Sequence, residues 1–234
     1  MPKATTPAVS PLLNQRLLAY AIAAAGAVSL VPNVDAQVIY TPANTILTEG
    51  TLTIDLNQDG TQDFFLQNSR TSSSYNRGAF LSVGGNVAES PAVLGLINAE
   101  QAFAVPKGTR IGSDSPAKFI AVSSRLLASM ASVRVKYHGW KLVGHWANVG
   151  DKYLGFQFTL SDGVHYGWAR LSVAARTQIV PTTVAKLTGF AFEATPNQSI
   201  VAGDRGFSSD AVSANSTQAG PSLGILSLGA ATRR

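Results

Sequence analysis

The chain has 234 residues, 45% apolar and 13% charged, with no cysteine and a formal net charge of +5. The apolar share supports a real core, and the charged share falls well below the usual quarter or so. Without cysteine there are no disulfides, so an exported fold must rest on its core or on a metal. No basic cluster exceeds the local pair Arg134–Lys136, which argues against nucleic acid as a partner.

The first segment carries an export pattern. Lys3 and Arg16 lie ahead of an apolar run, Leu17–Val31, and Val34-Asp35-Ala36 fits a small-residue cleavage site with the cut before Gln37. The run is shorter than the roughly 20 residues a membrane-spanning helix needs. Residues 1–36 are therefore expected to be a helical signal peptide. Its removal takes away Lys3, Arg16 and Asp35 and leaves a mature chain with no stable membrane span.

Beyond the signal the chain reads as short strands separated by Gly, Pro, Asn and Asp. Gln37–Tyr40 is predicted as a first short strand and Ile46–Leu56 as a second, with Leu52, Ile54 and Leu56 alternating against Thr51, Thr53 and Asp55. Asp63–Gln67 follows as a strand, Arg70–Gly78 as a Ser-rich loop, and Ala79–Val83 as a strand broken by Gly84-Gly85-Asn86. Pro91–Phe103 is predicted irregular and Pro106–Pro116 a loop. Phe119–Val122 and Ser132–Tyr137 are predicted strands, with a short helix or loop at Ser124–Ala131, and Leu142–Trp146 leads into the strongest element. That element, Tyr153–Val173, is a hairpin: Leu154, Phe156, Phe158 and Leu160 share one face, and Asp162-Gly163 suits a type I′ turn that would pair Leu160 with His165. Ala185–Glu193 is another strand and Ser199–Val201 a short one. From residue 206 the chain becomes a low-complexity linker ending in the short apolar stretch Leu223–Arg234.

This pattern, with no βαβ alternation and no heptads, predicts an all-β fold: a β-sandwich or jelly-roll-like single domain over residues 37–205, with a disordered tail over 206–234.

The most specific chemical signal joins the second and third predicted strands. Asp55, Asn57, Asp59, Thr61 and Asp63 fall at positions 1, 3, 5, 7 and 9 of D-x-N-x-D-G-x-x-D, with Gly60 at the sharp turn. Four oxygen-bearing side chains and one carbonyl, that of Thr61, at this spacing suit calcium, a hard cation that takes oxygen ligands. Position 12 is Leu66 rather than glutamate, so a ligand from elsewhere or water must complete the shell. The competing reading is an Asx-rich turn without an ion.

The second signal is the far face of the hairpin, where Tyr166, Trp168 and Arg170 form a stripe. It either packs beneath a neighbouring segment, with Arg170 reaching for water, or stacks on a sugar ring. His138, His145 and His165 match no ligand spacing. Glu49, Glu89, Glu100 and Glu193 are scattered and suggest no carboxylate pair, and no nucleophile elbow or phosphate loop is present.

The segments Tyr153–Phe158, His165–Leu171, Ala191–Glu193 and Pro196–Gly203, together with the PKGTRI turn at Pro106–Ile111, form a pattern that resembles uncharacterised exported bacterial proteins of the PEP-CTERM-associated type. In those proteins a Y-[IL]-G-F-x-F strand precedes H-Y-G-W-x-[RE]-L, and [AG]-[FY]-E leads to P-x-x-x-I-x-A-G. The resemblance spans about residues 105–203 and implies export and a β-rich fold, with no assigned reaction. The tail is similar to the S-L-G-L-L-A-L-G-A…R-R ending of such proteins, but it lacks Pro-Glu-Pro, and Leu223–Ala231 is too short to span a bilayer.

The expectation from sequence is an exported, non-enzymatic protein of the cell envelope or extracellular matrix, with a structural calcium loop and polysaccharide or cell-surface partners. The alternatives are a carbohydrate-binding module using Tyr166, Trp168 and Arg170, and a secreted hydrolase whose carboxylate pair the sequence does not display.

Overall fold

A computed structural model describes residues 37–72, 77–136, 139–177 and 180–206. The expected signal segment, nearly all of the tail, and His138 lie outside the described residues.

The described chain is all-β, with two single-turn 3₁₀ helices at Val87–Glu89 and Ile97–Ala99. The early strands are β1 (Val38–Leu47), β2 (Gly50–Ile54), β3 (Phe64–Ser72), β4 (Arg77–Gly85) and β5 (Ala92–Leu96). Short strands follow: β6 (Gln101–Ala102), β7 (Arg110–Ile111) and β8 (Lys118–Ala121). The later strands are β9 (Ala128–Lys136), β10 (Gly139–Val143), β11 (Val149–Leu160), β12 (Gly163–Arg176), β13 (Thr182–Glu193) and β14 (Ile200–Val201).

Twelve strands form one sheet in the order β1-β13-β12-β11-β5-β6-β9-β4-β3-β2, with β8 paired to β5 and β10 to β9. β7 and β14 make a small separate ladder. The two ends of the long path, β1 and β2, are consecutive in sequence and separated only by Thr48 and Glu49. The sheet therefore curls until its edges stand side by side, giving a barrel-like sandwich that is nearly closed and leaves little edge exposed.

Inside the curl, Ile54, Phe64, Leu66, Leu81 and Met130 meet Leu154, Phe156, Phe158, Leu171 and Leu187. Phe64 lies 4.2 Å from Phe156 and 6.3 Å from Phe158 between ring centroids, and burying each such ring is worth about 1.5–3 kcal/mol. A second core sits on the outer face of β11–β13. There Tyr153, Tyr166, Trp168 and Ala191 are covered by Leu94, Val105, Ile111, Ile200 and Ala202. This covering layer explains why strands β11 and β12 are buried on both faces.

Several local expectations are corrected. Ile46–Leu56 is not one strand: it is cut at Thr48–Glu49, where β1 turns into β2. The supposed loop at Arg70–Gly78 is the meeting of β3 and β4, with residues 73–76 outside the description. Pro91–Phe103 contains strand β5, which pairs with both β8 and β11, and the expected helix or loop at Ser124–Ala131 ends in β9. The hairpin turn is Ser161-Asp162, not Asp162-Gly163. Leu160 pairs with Gly163 and Phe158 with His165, so the register slides by two residues while each side chain keeps its expected face. Neither Ser161 nor Asp162 has positive φ; only Gly163, at φ +147, does.

In β13 a bulge does what simple alternation cannot. Arg170 pairs with Gly189 and Leu171 with Leu187, leaving Thr188 as the extra residue. Leu187 and Phe192, of opposite parity, thereby both enter the inner core.

Candidate metal centre

The loop Asp55–Asp63 closes the β2–β3 hairpin, with Ile54 paired to Phe64 and the Asp63 amide donating to the Ile54 carbonyl at 3.1 Å. Leu56, fully buried, pins the loop's second residue into the inner core. The tip of the loop, residues 58–62, stands in solvent, and the loop folds through its own oxygen atoms. The Gly60 amide donates to Asp55 Oδ2 at 2.9 Å, the Asp59 amide to Asn57 Oδ1 at 3.1 Å, and the Thr61 amide to Asp59 Oδ1 at 2.7 Å. Asn57 Nδ2 donates to Asp59 Oδ2 at 3.0 Å. Gly60 adopts φ +88, a conformation that a side chain would strain even though no atom crowds the position.

Asp63 differs from the others. Its side chain is 0% exposed; one carboxylate oxygen accepts from the Leu56 amide, and Oδ1 has no hydrogen-bond partner. Asp55 Oδ1 is likewise occluded and unpaired. The carboxyl of Asp63 is pushed up to about 8, first by burial and then by the Glu89 side chain against it, with Asp55 adding repulsion and the Leu56 amide pulling the other way. Asp59, in water, is held below the usual carboxylate range by the Thr61 amide and then by Asn57.

The structure thus gathers the predicted residues into one loop. It leaves Asp55 and Asp63 with free oxygen, while Asn57 and Asp59 are engaged in the loop's own turns. Among the described residues no three Asp, Glu or His side chains are already drawn together closely enough to hold an ion. Loading the loop therefore requires side-chain rotation that exchanges internal hydrogen bonds for oxygen–metal bonds.

The stripe on the far face of the hairpin is filled, which corrects the sugar-platform alternative. Trp168 is 1% exposed, edge-on to Tyr153 at 5.2 Å and tilted against Tyr40 at 5.9 Å. Tyr166 lies 5.7 Å from Phe119, and burial pushes its hydroxyl up, with Asp114 contributing. Arg170 is paired with Asp151 at 2.9 Å. The covering residues Val105, Ile111, Ile200 and Ala202 come from segments distant in sequence, which is why alternation alone left both faces of the strand open to either reading.

His165 is buried rather than partly exposed. Its Nδ1 faces the Glu193 carbonyl at 2.8 Å and its Nε2 faces Asp162 Oδ1 at 2.9 Å. His145 stacks edge-on to Phe103 at 4.7 Å. Two acidic residues emerge that spacing did not single out. Glu89 lies beside Asp63, and the sequence signal for its placement is Asn86-x-x-Glu89, a turn-capping pattern. Glu193 is fully buried, and its Oε1 accepts from the amides of Gln37 at 2.7 Å and Thr195 at 2.9 Å.

Comparison of the chain with models of protein families, with curated proteins and with solved structures finds no match.

Proposed function

We propose that this is an exported, non-enzymatic protein of the cell envelope or extracellular matrix, whose β-domain is fastened by calcium at the Asp55–Asp63 loop. The observation that carries the reading is the buried Asp63 carboxyl, with an oxygen free of any amide or hydroxyl donor, at the inner end of a D-x-N-x-D-G-x-x-D loop. Calcium there neutralises clustered oxygen and locks the β2–β3 corner at one end of the long sheet. Export is supported by the Lys3–Ala36 pattern and by the hairpin's resemblance to exported proteins of the PEP-CTERM-associated type.

A hydrolytic role finds less support. The Asp63 and Glu89 carboxyls lie within hydrogen-bond reach of one another, closer than the roughly 5–9 Å that separates a glycosidase pair. The surface depressions lined by Arg70 and Arg77, by Phe103 and Lys118, and by Ile46 and Lys186 contain no carboxylate. Polysaccharide or another surface component remains the partner class consistent with export and a basic chain.

The test is thermal melting of the full chain in excess chelator and in about 1 mM calcium, the range where extracellular sites bind. A higher midpoint with calcium, absent with magnesium, is expected. Coincident midpoints overturn the reading.

A further inference from the structure

The loop lacks a twelfth-position glutamate, yet the fold brings a glutamate to it from another segment. The Asn86 amide donates to the Asp63 carbonyl at 2.8 Å, which docks the turn after β4 against the base of the loop. Asn86 caps the following 3₁₀ turn through Ala88, and its Nδ2 donates to Glu89 Oε1 at 3.2 Å. Glu89 is held this way with Oε2 occluded and without a partner, as are Asp63 Oδ1 and Asp55 Oδ1. The Asp63 and Glu89 carboxyls meet, and two carboxyls in contact hold either a shared proton or a cation between them; calcium displaces that proton. Asp63 is fully buried, so water does not screen the pair.

We propose that Glu89 is the missing calcium ligand, entering the shell of the Asp55–Asp63 loop from the 3₁₀ turn between β4 and β5. This deepens the calcium reading and rests on it. The ion then bridges two segments, the β2–β3 hairpin and the turn leading from β4 into β5.

The test is calcium titration calorimetry on the full chain, wild type, Asp55→Asn and Glu89→Gln, with melting of each in chelator. Glu89→Gln keeps the side chain's length and its acceptor for Asn86, and gives Asp63 a hydrogen-bond donor. The expected result is calcium affinity weakened about tenfold or more, the scale reached when even an outer partner of a metal ligand is lost, with a chelator midpoint no lower than wild type. Retained wild-type affinity in Glu89→Gln, alongside loss in Asp55→Asn, overturns the role of Glu89 and leaves the loop reading standing. No heat and no midpoint shift in wild type overturns both.

A separate observation concerns the other orphaned carboxylate. Glu193 Oε2 is buried without a partner while Oε1 holds the Gln37 amide nitrogen, the atom that follows the expected cleavage site. The Gln37 carbonyl is fixed as well, by the Ala194 amide at 2.9 Å. We infer that Glu193 is the receptor for the α-ammonium group created by processing. Hydrolysis of the Ala36–Gln37 bond consumes one water and leaves a carboxylate on Ala36 and an ammonium on Gln37. The nitrogen gains a charge and further donors, enough to reach both Glu193 oxygens.

This inference rests on the export reading. N-terminal sequencing of the exported protein is expected to begin at Gln37. The processed chain should melt above the unprocessed chain made without export, and Glu193→Gln should reduce that difference by half or more. A start elsewhere overturns the inference and leaves export standing; equal midpoints of processed and unprocessed chains overturn it even with cleavage at Gln37.

Discussion

Asn68 and Thr183, 115 residues apart, exchange two hydrogen bonds inside the sheet's seam: Asn68 Nδ2 donates to the Thr183 carbonyl, and Thr183 Oγ1 donates to Asn68 Oδ1, both at 2.6 Å. Asn68 Nδ2 also reaches the Thr48 carbonyl at 2.9 Å. The pair ties β3 to β13 and caps the corner where the two sheet edges meet, so one buried amide does much of what a missing strand pairing leaves undone.

Removing that amide exposes the cost. Asn68→Ala leaves buried carbonyls and the Thr183 hydroxyl without partners and is expected to destabilise the chain by about 2–4 kcal/mol. Thr183→Val, which removes one donor, is expected to cost about 1–2 kcal/mol. Urea unfolding of both and of the double variant gives the coupling; strict additivity would show that the two residues act independently.

Trp168 is a core residue whatever its sequence neighbours suggest. Trp168→Ala is expected to cost about 3–5 kcal/mol, as loss of a fully buried aromatic does. Arg170→Met, at a pair left partly in water, should cost less than about 1 kcal/mol. Denaturant midpoints decide: a Trp168 variant of wild-type stability would mean that the covering layer does not close over it.

How much of this was legible in the sequence depends on how far apart the cause and its effect lie along the chain. Leu154, Phe156 and Phe158 announce a buried face through local alternation, and the structure puts all three in the inner core. The Asp55–Asp63 spacing is equally local, and its loop forms between paired strands. Asn68, Thr183 and Glu193 gave no such signal, because each acts on a partner that only the closed sheet brings near; Asn86-x-x-Glu89 announces the capped turn but not the meeting of Glu89 with Asp63. The lid over Trp168 was hidden for the same reason. The turn register failed differently: Asp-Gly suits type I′, but Asp162 is engaged with His165, and only Gly163 takes positive φ.

That last point gives a prediction about Gly163. A Cβ there would stand 2.9 Å from Pro196 Cβ and 3.4 Å from Asn197 Nδ2, in a backbone conformation unsuited to a side chain. Gly163→Ala is expected to destabilise by about 1–3 kcal/mol, with strain as the cause. Equilibrium unfolding checks this; a neutral substitution would show that the turn relaxes to another type.

The Asp162–His165 contact carries a pH signature. Both ring nitrogens of the buried His165 face oxygen, Nε2 toward Asp162 Oδ1 and Nδ1 toward the Glu193 carbonyl. The hydrogen bond from His165 is the main cause holding Asp162 below its ordinary 3.8. A carboxylate with a depressed folded value binds fewer protons in the native state than in the unfolded one near that pH. Its contribution is therefore complete above about pH 4 and is lost as pH falls through the lowered folded value. Asp162→Asn, which keeps a turn-compatible residue, should be less stable than wild type near neutrality and should converge with it in acid. Because Asp162 is exposed, the gap will be small and will shrink with added salt. Denaturant unfolding of both proteins across the acid range measures it, and a gap that holds constant from neutrality into strong acid would remove the carboxylate's charge from the account of this turn.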